Sequence, residues 1–319
     1  MRVLMVGRRP SIALDDLRRY WGEIEFSPGS IIPKPRRYDL VIAQEPTLRI
    51  GVPALMQAKL SRGILICEVH SNYLQAGFLP RRDLVAAKLV LRSAEHVRAV
   101  SKQIAGVLKN WNVKNILTIP SIYIKLNLFR PLSSHQVRGP VVVSVSRLVP
   151  QKGIRLLLDS VPYLVKNFPG VEVRIVGEGP ERRSLELYAE RLGVMGRVRF
   201  HGWVTQDELV KHYNEAAVFV CTSLHEGGPR TIFEAAACHT PFVSTAVGLV
   251  PEVYRHGREG FILQRRDAER LAEYVSILLS DPALREEMGR RGREVVEREF
   301  EWEGAVRRYA EAYLRLLGG

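Results

Sequence analysis

The feature that most restricts the fold is an alternation. Short runs rich in Val, Ile and Leu recur along the chain, with segments of helical period between them. A first series comprises Arg2–Val6, Glu23–Phe26, Asp39–Ala43, Ile64–Glu68, His96–Val100 and Ile116–Ile119. A second comprises Val141–Val145, Val171–Val176, Val198–Gly202, Val218–Cys221, Pro241–Ser244 and Gly260–Leu263. Between them, Asp83–Ser93, Gly153–Asn167, Glu181–Leu192 and Asp207–Ala216 place apolar residues at i, i+3 and i+4, the period of one helix face. The runs do not alternate polar with apolar, so each strand is expected to be buried on both faces. That pattern belongs to parallel sheets covered by helices, and the predicted class is α/β with doubly wound sheets.

The series breaks once. Pro131 to Pro140 is polar, bounded by prolines and without either period, the composition of a linker. A length of 319 residues suits two domains, each of roughly 150 residues. The break therefore predicts a first domain over residues 1–133 and a second over 138–300. Asp281–Glu299 and Ala305–Leu317 follow as amphipathic helices, which leaves a helix at 303–319 to lie across the first domain.

Charge narrows the partners. The net charge is +13, with 37 Arg against 10 Lys, and the planar guanidinium favours bidentate contact with phosphate. Nucleic acid, an anionic membrane and phosphorylated small molecules all fit, as does a solvated surface with an arginine bias. Nucleic-acid binding calls for aromatics interleaved with the cations, whereas the arginine pairs here sit mostly beside aliphatic residues. Cys67, Cys221 and Cys238 form no C-x-x-C pair; they are expected to be free, buried and reduced, and no zinc site is expected. The apolar run Val3–Gly7 is shorter than the roughly 7–15 residues of a signal peptide's apolar region. The uncharged stretch Ala235–Pro251 contains Pro241, Gly248, Ser244 and two threonines and does not read as a membrane span. A cytoplasmic protein is expected, with peripheral contact at the inner membrane face as an option.

In doubly wound domains ligands bind outside the carboxyl ends of the strands, so the strand exits hold the candidate residues. After Val141–Val145, Arg147 and Lys152 precede Gly153 and a helix; two cations beside a helix N-terminus suit a diphosphate, and a solvated basic loop fits the segment equally well. After Val171–Val176, Gly177 and Gly179 allow close approach to the backbone. Arg182 occupies the place of the third glycine of a dinucleotide fingerprint, which disfavours NAD. After Val218–Cys221 comes Glu226-Gly227-Gly228-Pro229-Arg230-Thr231, with Pro229 expected in the first turn of a helix and bare N–H groups at the two glycines free to meet phosphate. Glu234 lies further along that helix among Phe233 and alanines, where a carboxylate needs a partner: the hydroxyls of a ribose or sugar, or a core arginine.

Ser146-Arg147-Leu148 with Lys152-Gly153, Val176-Gly177-Glu178-Gly179-Pro180, Phe200-His201-Gly202-Trp203, and Glu226 and Glu234 separated by seven residues together resemble the retaining glycosyltransferases of family 4, from about Val141 to Phe300. The resemblance implies a GT-B fold: two facing Rossmann-like domains, with the sugar donor in the second, the acceptor in the first, and the C-terminal helix crossing back. It implies a nucleotide-diphosphate sugar (UDP-, GDP- or ADP-linked) as substrate, transfer with retention, and no metal or other cofactor. Arg147 and Lys152 would contact the diphosphate, Glu234 the ribose, and Glu226 the transferred sugar beside the N–H groups of Gly227 to Arg230, with Thr231 a further donor-binding candidate. His70, at the end of the fourth run, resembles the family's histidine that contacts this sugar. The first half departs from the family: Gly7-Arg8-Arg9-Pro10 stands where a glycine-rich loop is usual. Arg8, Arg9, Arg81 and Arg82 are therefore candidates for an acceptor that is phosphorylated or lipid-linked. The rival readings are a nucleic-acid- or membrane-binding protein, a sugar-nucleotide epimerase or phosphorylase on the same scaffold, and a donor-binding subunit without catalysis.

Overall fold

A computed structural model describes residues 1–29, 35–70, 80–132 and 139–318. The chain divides into two compact units, Met1–Tyr123 with Glu303–Gly319, and Ile124–Trp302. The division precedes the proline-bounded segment, whose residues 133–138 lie outside the described residues. Its position has a local cause: Ile124 is tied into the second unit by Ile124 N–H to Phe300 O at 2.8 Å and Trp302 N–H to Ile124 O at 3.0 Å.

The first unit holds strands β1 (Arg2–Gly7), β2 (Glu23–Pro28), β3 (Leu40–Ala43), β4 (Ile64–Val69), β5 (His96–Ala99) and β6 (Ile116–Thr118). Its helices are α1 (Leu14–Trp21), α2 (Gly51–Ser61), α3 (Arg81–Ser93) and α4 (Lys102–Asn110). The sheet order is β2-β1-β3-β4-β5-β6, parallel throughout. The second unit holds β7 (Val141–Val145), β8 (Glu172–Val176), β9 (Val198–Gly202), β10 (Val218–Cys221), β11 (Phe242–Thr245) and β12 (Gly260–Leu263). Around them lie α5 (Arg155–Asn167), α6 (Arg182–Arg191), α7 (Gln206–Glu215), α8 (Arg230–Ala237), α9 (Val250–Val253), α10 (Ala268–Ser280) and α11 (Pro282–Glu299). Its order is β12-β11-β10-β7-β8-β9, again parallel.

The expected doubly wound class therefore holds, and the strand orders add what sequence pattern does not carry. In the second sheet the chain leaves β7 toward β8 and β9, then returns to the other side of β7 at β10. This is the dinucleotide-fold order, and its switch point lies between β7 and β10. The first sheet has only β2 beyond β1, the flavodoxin-like variant, with its switch between β1 and β3. Strand interiors such as Leu40–Ala43 and Val218–Val220 are wholly buried, as both-face coverage requires.

The last helix, α12 (Trp302–Leu317), packs into the first unit. Trp21, at the end of α1, donates its indole N–H to Ala310 O at 3.2 Å. Its ring lies 5.4 Å from Tyr309 and 5.5 Å from Tyr313, centroid to centroid.

Candidate functional site

The carboxyl ends of β7 and β10 frame a narrow pocket lined by Ser144–Ser146, Lys152, Ile154, Val220–Ser223, Glu226 and Thr231. This is the topological switch point, and the strand exits singled out in the sequence flank it. Lys152 Nζ is paired with Glu226 Oε1, both side chains being mostly buried. Ser223 Oγ donates to the same carboxylate oxygen at 2.8 Å. The two loops are stitched along their length: Gln151 Nε2 donates to His225 O at 2.7 Å, Leu224 N–H to Gln151 O at 2.8 Å, and Thr222 Oγ1 to Lys152 O at 3.1 Å. Arg266, beyond β12, reaches Thr222 O at 2.5 Å and Gly153 O at 3.3 Å. Ser146 Oγ is buried without a hydrogen-bond partner.

Arg147 behaves differently from Lys152. It is exposed, and its side chain has no hydrogen bond or ion pair among the described residues. Lys152 thus lines the pocket already held by a carboxylate, whereas Arg147, directly after Ser146 and outside that lining, has no side-chain partner among the described residues.

Gly177 and Gly179 have a structural explanation that differs from the expected one. The 146–148 loop continues the β7–β8 ladder, with Ser146 N–H to Val176 O at 3.0 Å and Leu148 N–H to Glu178 O at 2.8 Å. A Cβ on Gly177, whose φ is +128°, would lie 1.9 Å from Ser146 O, and one on Gly179 would lie 2.3 Å from Leu148 O. Both glycines are required for chain-to-chain approach, whether or not a ligand is bound.

The helix after β10 begins one residue later than expected: Pro229 is the N-cap of α8 rather than part of its first turn. Gly227 and Gly228 precede it, and Leu249 N–H reaches Gly227 O at 3.0 Å. The unpaired N–H groups of a helix N-terminus therefore fall at Arg230 and Thr231, and Thr231 lines the pocket.

Glu234, 6% exposed, has both oxygens engaged by protein. Arg230 Nε donates to Oε1 at 2.8 Å and Tyr213 Oη to Oε2 at 2.9 Å. Burial raises its carboxyl above the ordinary value, against the pull of Arg230 and Tyr213. The partner that a buried carboxylate needs is thus an arginine one turn away plus a tyrosine from α7. Each oxygen still has lone-pair capacity beyond its one bond.

In the first unit, His70 follows β4, with Nε2 3.1 Å from Glu68 Oε2 and Nδ1 3.2 Å from Ser121 Oγ. Arg8 is paired with Glu45 at 3.1 Å. Arg9, Arg81 and Arg82 are exposed, the last two opening α3. Cys67, Cys221 and Cys238 are free and buried; burial pushes the Cys221 thiol up, which suits an inert residue. No cluster of potential metal ligands occurs among the described residues.

Sequence reasoning missed Gln151, Ser223, Arg266, Tyr213 and Arg98. Gln151, Arg266, Tyr213 and Arg98 have partners distant in the chain, which no local pattern announces, and Ser223 bonds Glu226 three residues on.

Residues 129–295, just over half of the chain, match the sequence model of the family Glycosyl transferases group 1. The chain belongs to this family. A lipopolysaccharide core biosynthesis glycosyltransferase, LpsE of Rhizobium meliloti, is 37% identical over 179 residues, which is 56% of this chain and 50% of that protein. A GDP-mannose-dependent alpha-(1-6)-phosphatidylinositol monomannoside mannosyltransferase of Mycobacterium tuberculosis is 32% identical over 179 residues, 54% of this chain and 46% of that one. The chain thus spans about half the length of these curated relatives. Among solved structures, HepE of Anabaena in complex with UDP and glucose superposes with a TM-score of 0.83 at 19% identity, covering 98% of this chain and 99% of that one. Sucrose-phosphate synthase of Thermosynechococcus elongatus gives 0.79 at 20% identity, covering 100% and 99%. These likenesses establish the GT-B fold for this group 1 family member. The family match falls on the second unit, and within it on every residue of the switch-point pocket.

Proposed function

We propose that this protein transfers a sugar from a nucleotide-diphosphate sugar to an acceptor hydroxyl, with retention of anomeric configuration. The observation that carries the reading is the pocket at the β7–β10 switch point, which Lys152, Glu226 and Thr231 of the first turn of α8 line together, with Arg147 next along the loop from Ser146. An acceptor oxygen bonds to the anomeric carbon as the bond from that carbon to the β-phosphate oxygen breaks. The nucleoside diphosphate leaves with the bonding electrons, and the acceptor's proton passes to the departing phosphate. Arg147, Lys152 and the N–H groups of Arg230 and Thr231 stabilise the charge that develops there, the task a metal ion performs in other transferases. Lys152 exchanges Glu226 for the diphosphate as the donor enters. That exchange releases the Glu226 carboxylate to the hydroxyls of the transferred sugar. Glu234, kept in place by Arg230 and Tyr213, receives the ribose hydroxyls, and His70 meets the sugar.

For the acceptor, one observation favours a molecule carried at an anionic bilayer. α2 and α3 pack together, and their outer surface exposes Met56, Leu60, Val85 and Leu89. Lys59, Arg81, Arg82, Lys88 and Arg92 are exposed among them. Apolar side chains set among cations suit the headgroup region of an anionic membrane. No helix among the described residues is long and apolar enough to cross a membrane, and the contact proposed is a peripheral one. One relative is named a phosphatidylinositol monomannoside mannosyltransferase and another a lipopolysaccharide core biosynthesis glycosyltransferase, which supports this reading.

The test is product analysis with UDP-, GDP- and ADP-sugars and lipid extracts. Transfer releases a nucleoside diphosphate and gives a product with the donor's anomeric configuration by NMR. A donor that comes back intact but epimerised, or an inverted product, contradicts the reading.

A further inference from the structure

Glu68 lies two residues before His70, on β4, and is 3% exposed. None of the roles above employs it, yet its contacts are dense. Oε1 accepts from Arg98 Nη1 at 2.7 Å, from Tyr309 Oη at 2.8 Å and from Tyr313 Oη at 2.7 Å. Oε2 faces His70 Nε2 at 3.1 Å. The other ring nitrogen of His70 meets Ser121 Oγ at 3.2 Å, and that oxygen accepts from Arg98 Nη2 at 2.8 Å. Arg98 is itself fixed, with Nε on Ile119 O at 2.9 Å and Nη2 on Pro120 O at 2.7 Å. Its guanidinium lies 4.4 Å from the centre of the Tyr309 ring.

Glu68, His70, Ser121 and Arg98 close a ring of hydrogen bonds. Arginine only donates, and an ionised carboxylate only accepts. Ser121 Oγ accepts a hydrogen bond from Arg98 Nη2, and its own hydroxyl can donate to a bare Nδ1. Glu68 has none to give, so Nε2 carries the imidazole proton; the partner of one ring nitrogen decides the state of the other. Burial alone would push the Glu68 carboxyl up, but the Arg98 guanidinium and the hydrogen bonds from His70 and Tyr313 hold it well below the usual carboxylate range. The ionised form is therefore the one present.

We infer that Glu68 is a positioning residue that locks His70 in the Nε2–H tautomer and presents Nδ1 as its acceptor, with Tyr309 and Tyr313 of the C-terminal helix occupying the other carboxylate oxygen. The inference rests on the reading of His70 as a residue that meets the transferred sugar, and adds which nitrogen is available: a sugar hydroxyl reaches Nδ1 only in place of Ser121. The strand that precedes His70 and the helix α12 thereby act on one imidazole.

The experiment is ¹⁵N NMR of the imidazole nitrogens in the full chain without substrate, His70 being assigned by the signal lost in His70→Asn. The native chain should show a protonated Nε2 and a bare Nδ1, and Ser121→Ala, which removes no charge, should keep that pattern. In Glu68→Gln the three donors at Oε1 hold the amide oxygen there and turn the NH₂ toward Nε2. The tautomer should then switch to Nδ1–H, and kcat should fall on the order of tenfold or more with a smaller change in donor KM. An Nδ1–H tautomer in the native chain, loss of Nε2–H in Ser121→Ala, or a switched Glu68→Gln with native kcat overturns the inference. If Glu68→Gln does not fold, the native and Ser121→Ala spectra still decide the tautomer. Because the tautomer is read without donor or acceptor, a failed transfer assay bears on the proposed reaction and leaves this result standing.

Discussion

Two cations occupy the same strand exit in different states, and the difference makes them separable by mutation. Lys152 is paired with Glu226 and mostly buried, so Lys152→Met strands a carboxylate in a partly dry pocket. It should weaken donor binding and also lower unliganded stability, by about 1–3 kcal/mol, read as a drop in Tm. Glu226→Gln keeps the shape and the Ser223 contact. Stability should fall by about 1–3 kcal/mol, because the mostly buried Lys152 loses its counter-charge, while turnover falls on the order of a hundredfold or more; native turnover in this variant would remove Glu226 from the mechanism. The exit positions themselves were legible, because cations and glycines directly after a Val-rich run stand out in the sequence. The partner of Glu234 was not: an arginine at i+4 spacing is visible in hindsight, but Tyr213 comes from another helix and only folding brings it near.

Among the elements, loops and helices carry constraints that residue types alone conceal. Gly177 and Gly179 read as ligand room and turn out to admit the backbone of residues 146–148. Gly177→Ala should therefore destabilise the unliganded protein, by about 2 kcal/mol or more for a position restricted to glycine, and it should do so whether or not a nucleotide is present. A mutant of native Tm would restore the ligand explanation. Helix α12 was legible as amphipathic, but its two tyrosines converging on Glu68 were not, since they lie more than two hundred residues away. That buried cluster has a pH signature. Folding favours ionised Glu68, so its stabilisation is complete above the unfolded value of about 4.3 and drains away as the pH falls below it. Native protein should exceed Glu68→Gln by about 3–5 kcal/mol near neutrality, and denaturation curves should show that gap narrowing below about pH 4. A gap that stays constant with pH would mean the charge on Glu68 is not what stabilises the fold.

For the whole molecule, both sheets were legible from Val- and Ile-rich runs because burial on both faces leaves no polar alternation to confuse them. The strand orders were not legible, and they matter most: the order β12-β11-β10-β7-β8-β9 is what brings the exits of β7 and β10 side by side. The division at Tyr123 also escaped the sequence, since a backbone pairing with Phe300 and Trp302 fixes it and prolines do not. Part of the charge of +13 lies on α2 and α3, where Lys59, Arg81, Arg82, Lys88 and Arg92 are exposed, and the proposed membrane contact uses it. Binding to vesicles containing anionic lipid should fall as salt rises, and Val85→Asp with Leu89→Asp should abolish it; binding to duplex DNA of equal salt sensitivity and untouched by these changes would favour the nucleic-acid reading.

The central claim is that a nucleotide diphosphate binds at the carboxyl ends of β7 and β10, and Arg147 tests it most cleanly because it is exposed and has no side-chain partner among the described residues. Calorimetric titration of UDP, GDP and ADP into the native chain and Arg147→Ala is the direct measurement. One of the three should bind the native chain, and the variant, of unchanged Tm, should bind it about 10- to 100-fold more weakly, the loss of one charge-assisted contact. Equal affinity in the two proteins, or no binding of any nucleoside diphosphate to the native chain, would contradict it.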